Sequence, residues 1–197
     1  GFCACAQSGE TIWRGDYARA ESFLYCGNQK RRADIDSDDA GSAGNMEGMK
    51  GEKNMRKIII DTDPGIDDAL AILLALSARE ELDVLALTTV NGNVDVEKVT
   101  KNAFKILDVA GRTDIPVYKG NRKPLMRENS MPADCHGDDG LGNIGVAESA
   151  GVPEEESAAD FLIRKVREEK GEITLVPIGP LTNIAEAVQK DPAFVKN

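Results

Sequence analysis

The run Ile58-Ile59-Ile60 passes directly into Asp61-Thr62-Asp63-Pro64-Gly65-Ile66-Asp67-Asp68, and the helix-forming stretch Ala69 to Leu76 follows without a break. An apolar β-branched run, a Pro-Gly turn and an apolar helical stretch spell strand, turn, helix, the opening of a βαβ unit. The junction carries four aspartates in eight residues. Two carboxylates a few ångströms apart repel by about 1 kcal/mol in water and about 4 kcal/mol at a protein-like effective dielectric. A chain that folds this way must supply protons, a hydrogen-bond cage or a cation.

The same alternation continues downstream. Arg56 to Asp61 reads as a strand, Asp67 to Ala78 as a helix and Leu82 to Val90 as a second strand rich in β-formers. Val94 to Ala110 reads as a helix with Val96, Val99, Ala103, Ile106, Leu107 and Ala110 on one face. Ile115 to Tyr118 is a third short strand, followed by a long stretch punctuated by Gly, Asp and Pro from Lys119 to Glu155. A helix near Ser157 to Glu169, a strand Ile173 to Val176 and a helix from Leu181 to Gln189 complete the pattern. Strands alternating with helices predict an α/β fold: a mainly parallel, Rossmann-like sheet covered on both faces. Such sheets bind ligands beyond the carboxyl ends of their strands. That rule brings the aspartates, Asn91-Gly92-Asn93 and Pro177-Ile178-Gly179-Pro180 to one crevice. A sheet this short also leaves an edge strand open, which favours self-association.

Composition narrows the class. With 41% apolar and 29% charged residues in 197, the chain has the make-up of an ordinary globular domain. The net charge is −10 and the basic residues are scattered, which argues against a nucleic acid polymer as partner. The longest apolar run, Ala69 to Leu76, is less than half of a membrane-spanning helix, and no leader-like start opens the chain. No membrane partner and a cytoplasmic location are expected. Cys3, Cys5, Cys26 and Cys135 form neither a CxxC pair nor a zinc spacing, which fits a reduced compartment.

Residues 1–54 differ in kind: no periodic pattern persists, and Asp34 to Gly44 has the composition of a linker. The expectation is a disordered or non-native extension, with an α/β domain over residues 55–197 and natural translation starting at Met55. Native-protein peptides from before Met55 in mass spectrometry would overturn that start.

At the junction, a structural account would make Asp67 a helix N-cap and Asp61 a solvated strand end. It covers one or two aspartates and leaves the others unexplained. Calcium, which accepts six to eight oxygens in flexible geometry, suits this site better than octahedral magnesium or zinc. An EF-hand is excluded, because a loop starting at Asp61 would need Gly at Ile66 and Glu at Ile72. The acidic run from Asp34 fails the same test at Asp39 and Asn45. His136, the single histidine, lies in the long loop. Its pattern is equally compatible with a solvated side chain and a site residue. Gly140-Leu141-Gly142-Asn143-Ile144-Gly145 matches the dinucleotide fingerprint, but no strand precedes it and no helix follows.

Four segments, taken in order, resemble the inosine-uridine preferring nucleoside hydrolase family. They are Ile58 to Ala69, Thr88-Thr89-Val90-Asn91-Gly92-Asn93, His136-Gly137-Asp138-Asp139-Gly140-Leu141-Gly142 and Val176-Pro177-Ile178-Gly179-Pro180-Leu181-Thr182-Asn183. The likeness covers Met55 to the last residue. It implies hydrolysis of the N-glycosidic bond of ribonucleosides of the inosine or uridine type, with Ca²⁺ as cofactor. Asp63 and Asp68 would ligate the ion with the backbone carbonyl of Ile178, and Asp63 would take a proton from a calcium-bound water. Asp67 would hold a ribose hydroxyl, Asn93 would help organise the ribose and metal site, His136 would lie beside the nucleobase, and Asp61 would support the cluster. Breaking such a bond passes through an oxocarbenium-like transition state, which anionic oxygens and a deprotonated water stabilise. A homo-oligomer, dimer or tetramer, is expected of the full-length protein.

Full-length relatives carry further metal-, ribose- and leaving-group-binding residues that have no counterpart here. The expectation is therefore a domain incomplete at its carboxyl end, with weak calcium binding and little activity of its own. Two other readings stand beside it: a non-catalytic calcium- or nucleoside-binding fragment, and an aspartate-nucleophile phosphatase using Asp61 as nucleophile and Asp63 as acid/base. Pro64 to Asp68 fits the phosphatase poorly, and its later motifs have no convincing place.

Overall fold

The computed structural model describes residues 55–126 and 135–196. The expectation for residues 1–54 lies outside them. The elements run β1 (Arg56–Thr62), α1 (Ile66–Ser77), β2 (Leu82–Thr89), α2 (Val96–Ala110), β3 (Val117–Lys119), α3 (Ala158–Glu168), β4 (Ile173–Pro177), α4 (Thr182–Lys190) and a 3₁₀ turn at Phe194–Lys196. The four strands form one sheet in the order β3-β2-β1-β4, and every pairing is parallel. The expected α/β architecture is the one observed.

Side chains alternate across a strand, so β1 serves two cores at once. Ile58 and Ile60 face Ile72 and Leu76 of α1 and Ala103, Ile106 and Leu107 of α2. Ile59 faces Phe161, Leu162 and Val166 of α3 and Ala187 of α4. Each of these fully buried isoleucines contributes about 1.5–3 kcal/mol of apolar burial. Helices therefore cover both faces, as the apolar strand predicts.

The boundaries differ from the sequence reading at several ends, and at the helix ends the reason is capping. Helix α2 begins at Val96, because the Asp95 carboxylate accepts the Lys98 N–H at 3.0 Å and caps the helix; Gly111, at φ 62°, ends it in the left-handed region. Helix α3 begins after Ser157, whose side chain accepts from the Asp160 N–H. Helix α1 starts at Ile66 with Gly65 as its N-cap, so Asp67 is not the cap. Strand β3 starts two residues later and ends one residue later than expected, because its register is set by Leu87↔Val117 to Thr89↔Lys119 on β2.

The two sheet edges differ. The long connection after β3 returns to it: Tyr118 bridges Glu154 in parallel, and the Glu154 N–H donates to the Val117 carbonyl at 2.9 Å. On the opposite edge, β4 pairs with β1 and with no other strand among the described residues, in line with the expected open edge. Helix α1 is apolar on more than one side, and Ile66, Leu70 and Leu74 point outward at 44%, 67% and 72% exposure. No helix among the described residues is long and apolar enough to cross a membrane.

Candidate functional site

Strand order reverses between β1 and β4, because β2 and β3 lie on one side of β1 and β4 on the other. The crevice at such a reversal is where open α/β sheets bind ligands. The aspartate turn leaves β1 at this place. Its four carboxylates do not share one environment.

Asp61 points back into the protein and is 1% exposed. Its Oδ1 accepts from Thr88 Oγ1 at 2.6 Å and from Asn183 Nδ2 at 2.8 Å. Burial pushes the carboxyl up to about 6, against the pull of these two hydrogen bonds. Sealed in this way, it offers no oxygen for nucleophilic attack on a substrate. That geometry argues against the phosphatase reading.

Asp63, two residues on, faces the crevice floor. Its Oδ2 accepts the Asn93 N–H at 2.8 Å, and its backbone carbonyl accepts from Asn93 Nδ2 at 2.8 Å. Glycines line the carboxylate on two sides. A Cβ on Gly92 would lie 2.0 Å from Oδ2, and one on Gly179 would lie 2.7 Å from Oδ1. No larger residue fits either wall without displacing the carboxylate. Burial, then the neighbouring Asp68 carboxylate, push Asp63 up to about 7.

Asp68 sits in the first turn of α1, also buried. Its Oδ1 accepts from Thr62 Oγ1 at 2.8 Å, and its Oδ2 accepts the Gly65 N–H at 3.1 Å and Asn93 Nδ2 at 3.4 Å. It thereby caps the helix that it belongs to. Asn93 spans both aspartates. The Ile178 and Gly179 N–H groups donate to the Asp61 carbonyl at 2.8 and 3.2 Å, which draws the end of β4 against the turn.

Asp67 is different again, with a side chain 45% exposed. Above it lies His136, which is 8% exposed, so the solvated-loop alternative is not the one adopted. His136 Nδ1 accepts the Ile66 N–H at 3.3 Å. The ring hydrogen is then on Nε2, which lies 3.8 Å from Asp67 Oδ1. The loop is held by Asn102, whose Nδ2 reaches the Asp139 carbonyl at 2.8 Å and the Pro64 carbonyl at 3.4 Å. The segment Gly140 to Gly145 runs without strand or helix, with Gly140, Gly142 and Gly145 at φ 83°, 75° and 71°. It is loop, and no dinucleotide cradle.

The sequence reading gave no role to Thr62, Thr88, Asn102 or Asn183. One signal was available: adjacent Thr88 and Thr89 end an otherwise apolar strand, and buried hydroxyls at a strand end require partners.

The donors are hard oxygens of like charge held close together, which suits a hard cation in kind. In number they fall short of a complete site. Among the described residues no group of three His, Cys, Asp or Glu side chains could hold a metal ion, so Asp63 and Asp68 would share it with backbone, water or substrate oxygens.

With this geometry in hand, likeness to other proteins is informative. The family model "Inosine-uridine preferring nucleoside hydrolase" matches residues 58–197. A probable uridine nucleosidase 2 of Arabidopsis thaliana is 52% identical over 144 residues, 72% of this chain and 44% of that protein. A solved plant nucleoside hydrolase superposes with TM-score 0.67 at 54% identity, covering 71% of this chain and 44% of the other. The purine-preferring ribonucleoside hydrolase from Gardnerella vaginalis gives TM-score 0.67 at 37% identity, over 70% and 45%. The chain thus spans less than half the length of the relatives it matches. With the family model and the fold in agreement, the chain belongs to the inosine-uridine preferring nucleoside hydrolase family.

Proposed function

We propose that this chain supplies the metal- and ribose-binding half of a site that hydrolyses the N-glycosidic bond of ribonucleosides. The observation that carries the reading is the Asp63–Asp68 pair, buried in a glycine-walled recess at the sheet's reversal point. Asp63 and Asp68, with the Ile178 carbonyl, would hold Ca²⁺. When bound, the ion supplies a Lewis acid that lowers the pKa of water and can bind a vicinal diol.

The chain's own groups do the rest. Asp63 has a carboxyl raised to about 7, which is near the value a general base needs at neutral pH. Its Oδ2 is fixed by the Asn93 N–H, so the carboxylate is oriented before substrate arrives. Asp67, exposed at the rim, accepts a ribose hydroxyl. The two anionic groups also stabilise the positive charge that develops on the ribose ring as the bond breaks. His136, with Nε2–H turned toward Asp67, closes the side on which the nucleobase lies. A cytoplasmic location and a homo-oligomeric full-length form belong to the same reading. Relatives whose names carry uridine, pyrimidine and purine preference all match this chain, so the base preference stays outside the proposal.

Calorimetric titration of the 197-residue protein with Ca²⁺, beside an assay with inosine and uridine, tests the reading. Weak calcium binding that disappears in Asp63→Asn is expected, with hydrolysis far below that of a full-length relative. Calcium binding without hydrolysis fits a non-catalytic binding fragment. No difference between wild type and Asp63→Asn in calcium binding would overturn the metal assignment, and hydrolysis at a full-length relative's rate would overturn the incompleteness.

A further inference from the structure

We infer that Asn183 is a positioning residue, which holds the aspartate turn in its binding geometry by joining the carboxyl ends of all four strands. The inference rests on the reading of Asp63 and Asp68 as the functional carboxylates.

Asn183 lies in the first turn of α4, just past β4, and is 0% exposed. Its Nδ2 donates to Asp61 Oδ1 at the end of β1, at 2.8 Å, and to the Thr89 carbonyl at the end of β2, at 3.0 Å. The Thr89 carbonyl also accepts the N–H of Gly120, the first residue past β3, at 2.8 Å. A Cβ on Gly120 would lie 2.0 Å from Asn183 Oδ1 and 2.4 Å from that carbonyl. The bare Cα of Gly120 therefore faces Asn183 Oδ1, an atom with no hydrogen-bond partner among the described residues, and a Cα–H···O contact is what the geometry leaves it. One side chain from the fourth strand's helix thus touches the ends of the other three.

The chemistry requires a carboxamide. Asp61 Oδ1 and the Thr89 carbonyl are both acceptors, and an NH₂ group offers one hydrogen to each. Aspartate here would set acceptor against acceptor and add a second buried charge beside Asp61. An aliphatic residue would leave the two strand ends joined by less. From Asp61 the effect reaches the site along the chain: the next residue, Thr62, donates from Oγ1 to Asp68 Oδ1 at 2.8 Å, and Asp63 follows it directly.

Amide hydrogen exchange by NMR on the 197-residue protein, wild type against Asn183→Ala, reads this directly. The Gly65 N–H donates to Asp68 and the Asn93 N–H to Asp63, so these two amides report the carboxylates' positions without any metal. Val166→Ala, a buried substitution in the α3 core, is the control for loss of stability alone. In Asn183→Ala the Gly65 and Asn93 amides should exchange at least tenfold faster relative to amides of α2 such as Ile106, and in Val166→Ala they should not. The calcium dissociation constant should likewise rise at least tenfold in Asn183→Ala only. Exchange that stays within twofold of wild type, or that accelerates in step with α2, would overturn the inference. Should Asn183→Ala not fold, Thr88→Val removes the other donor to Asp61 Oδ1 and is read in the same way, with a smaller shift expected. If calcium fails to move the Gly65 and Asn93 resonances of the wild type, the metal reading falls, while the exchange ratios still decide the role of Asn183.

Discussion

The end of β1 has a back and a front, and the two sides treat a buried aspartate differently. Behind it, Asp61 meets two neutral donors, Thr88 and Asn183, and no second carboxylate shares its hydrogen bonds. In front, Asp63 receives one backbone N–H at Oδ2 and lies beside Asp68, between two glycines that leave room for little else. Burial raises both carboxyls, to about 6 behind and about 7 in front. Only the front adds like-charge repulsion and a recess. Burial alone raises a carboxyl, and burial beside a second carboxylate raises it further.

Exchanging charge for amide on each side should separate them most sharply. Asp63→Asn is expected to weaken Ca²⁺ at least 100-fold by calorimetry. Asp61→Asn can still present its carbonyl oxygen to Thr88 and Asn183, and it should stay within about fivefold of wild type. Equal losses would mean that the two sides act as one charge reservoir.

A second effect concerns stability and pH. A carboxyl whose folded pKa lies above its unfolded value binds its proton more tightly in the native state, so its contribution is present at low pH and lost as pH rises. For the metal-free protein the melting temperature should fall as pH climbs from about 4. The loss from Asp61 is complete near 6 and that from Asp63 near 7. At about 1.4 kcal/mol per pH unit, the Asp63 share is on the order of 4 kcal/mol. Asp63→Asn should therefore flatten the profile between pH 6 and 7, where Asp61→Asn leaves it sloping. Calcium affinity should rise over the same interval, since the ion competes with the proton. A melting temperature that increases through this window in wild type would contradict the assignment.

The smallest contrast lies in the hydroxyls. Thr62→Val removes a buried donor to Asp68 and should cost about 1–3 kcal/mol together with several-fold in calcium affinity. Thr89→Val removes a contact with Thr100, which keeps its own bond to the Val96 carbonyl. It should cost about 1 kcal/mol in chemical denaturation and leave calcium binding unchanged.

Much of the fold was legible in the chain. Ile58 to Ile60 is buried on both sides of the sheet because an uninterrupted β-branched run suits a central parallel strand. Val96, Val99, Ala103, Ile106 and Leu107 keep a helical period, and all face inward. Helix starts were less legible. Asp67 and Asp68 are both good N-terminal residues, and the cap fell to Gly65 because Asp68 reaches back to its N–H from the third helical position. Strand β3 could not be bounded from a few apolar residues, since pairing with β2 sets its register. His136 was left undecided by its pattern, because nothing in a loop sequence states what the loop closes over.

The sequence by itself determined the alternation of strands and helices, and with it the carboxyl-end address of the aspartates, because side-chain periodicity and turn chemistry act over a few residues. It also carried the family likeness, through four ordered segments. Only the tertiary structure decided which aspartate faces inward, which pair stands charge against charge, and that Asn183, 122 positions from Asp61, binds it. Those outcomes depend on burial and on partners distant along the chain. A hydrogen bond between strand ends exists only after the strands have been brought side by side.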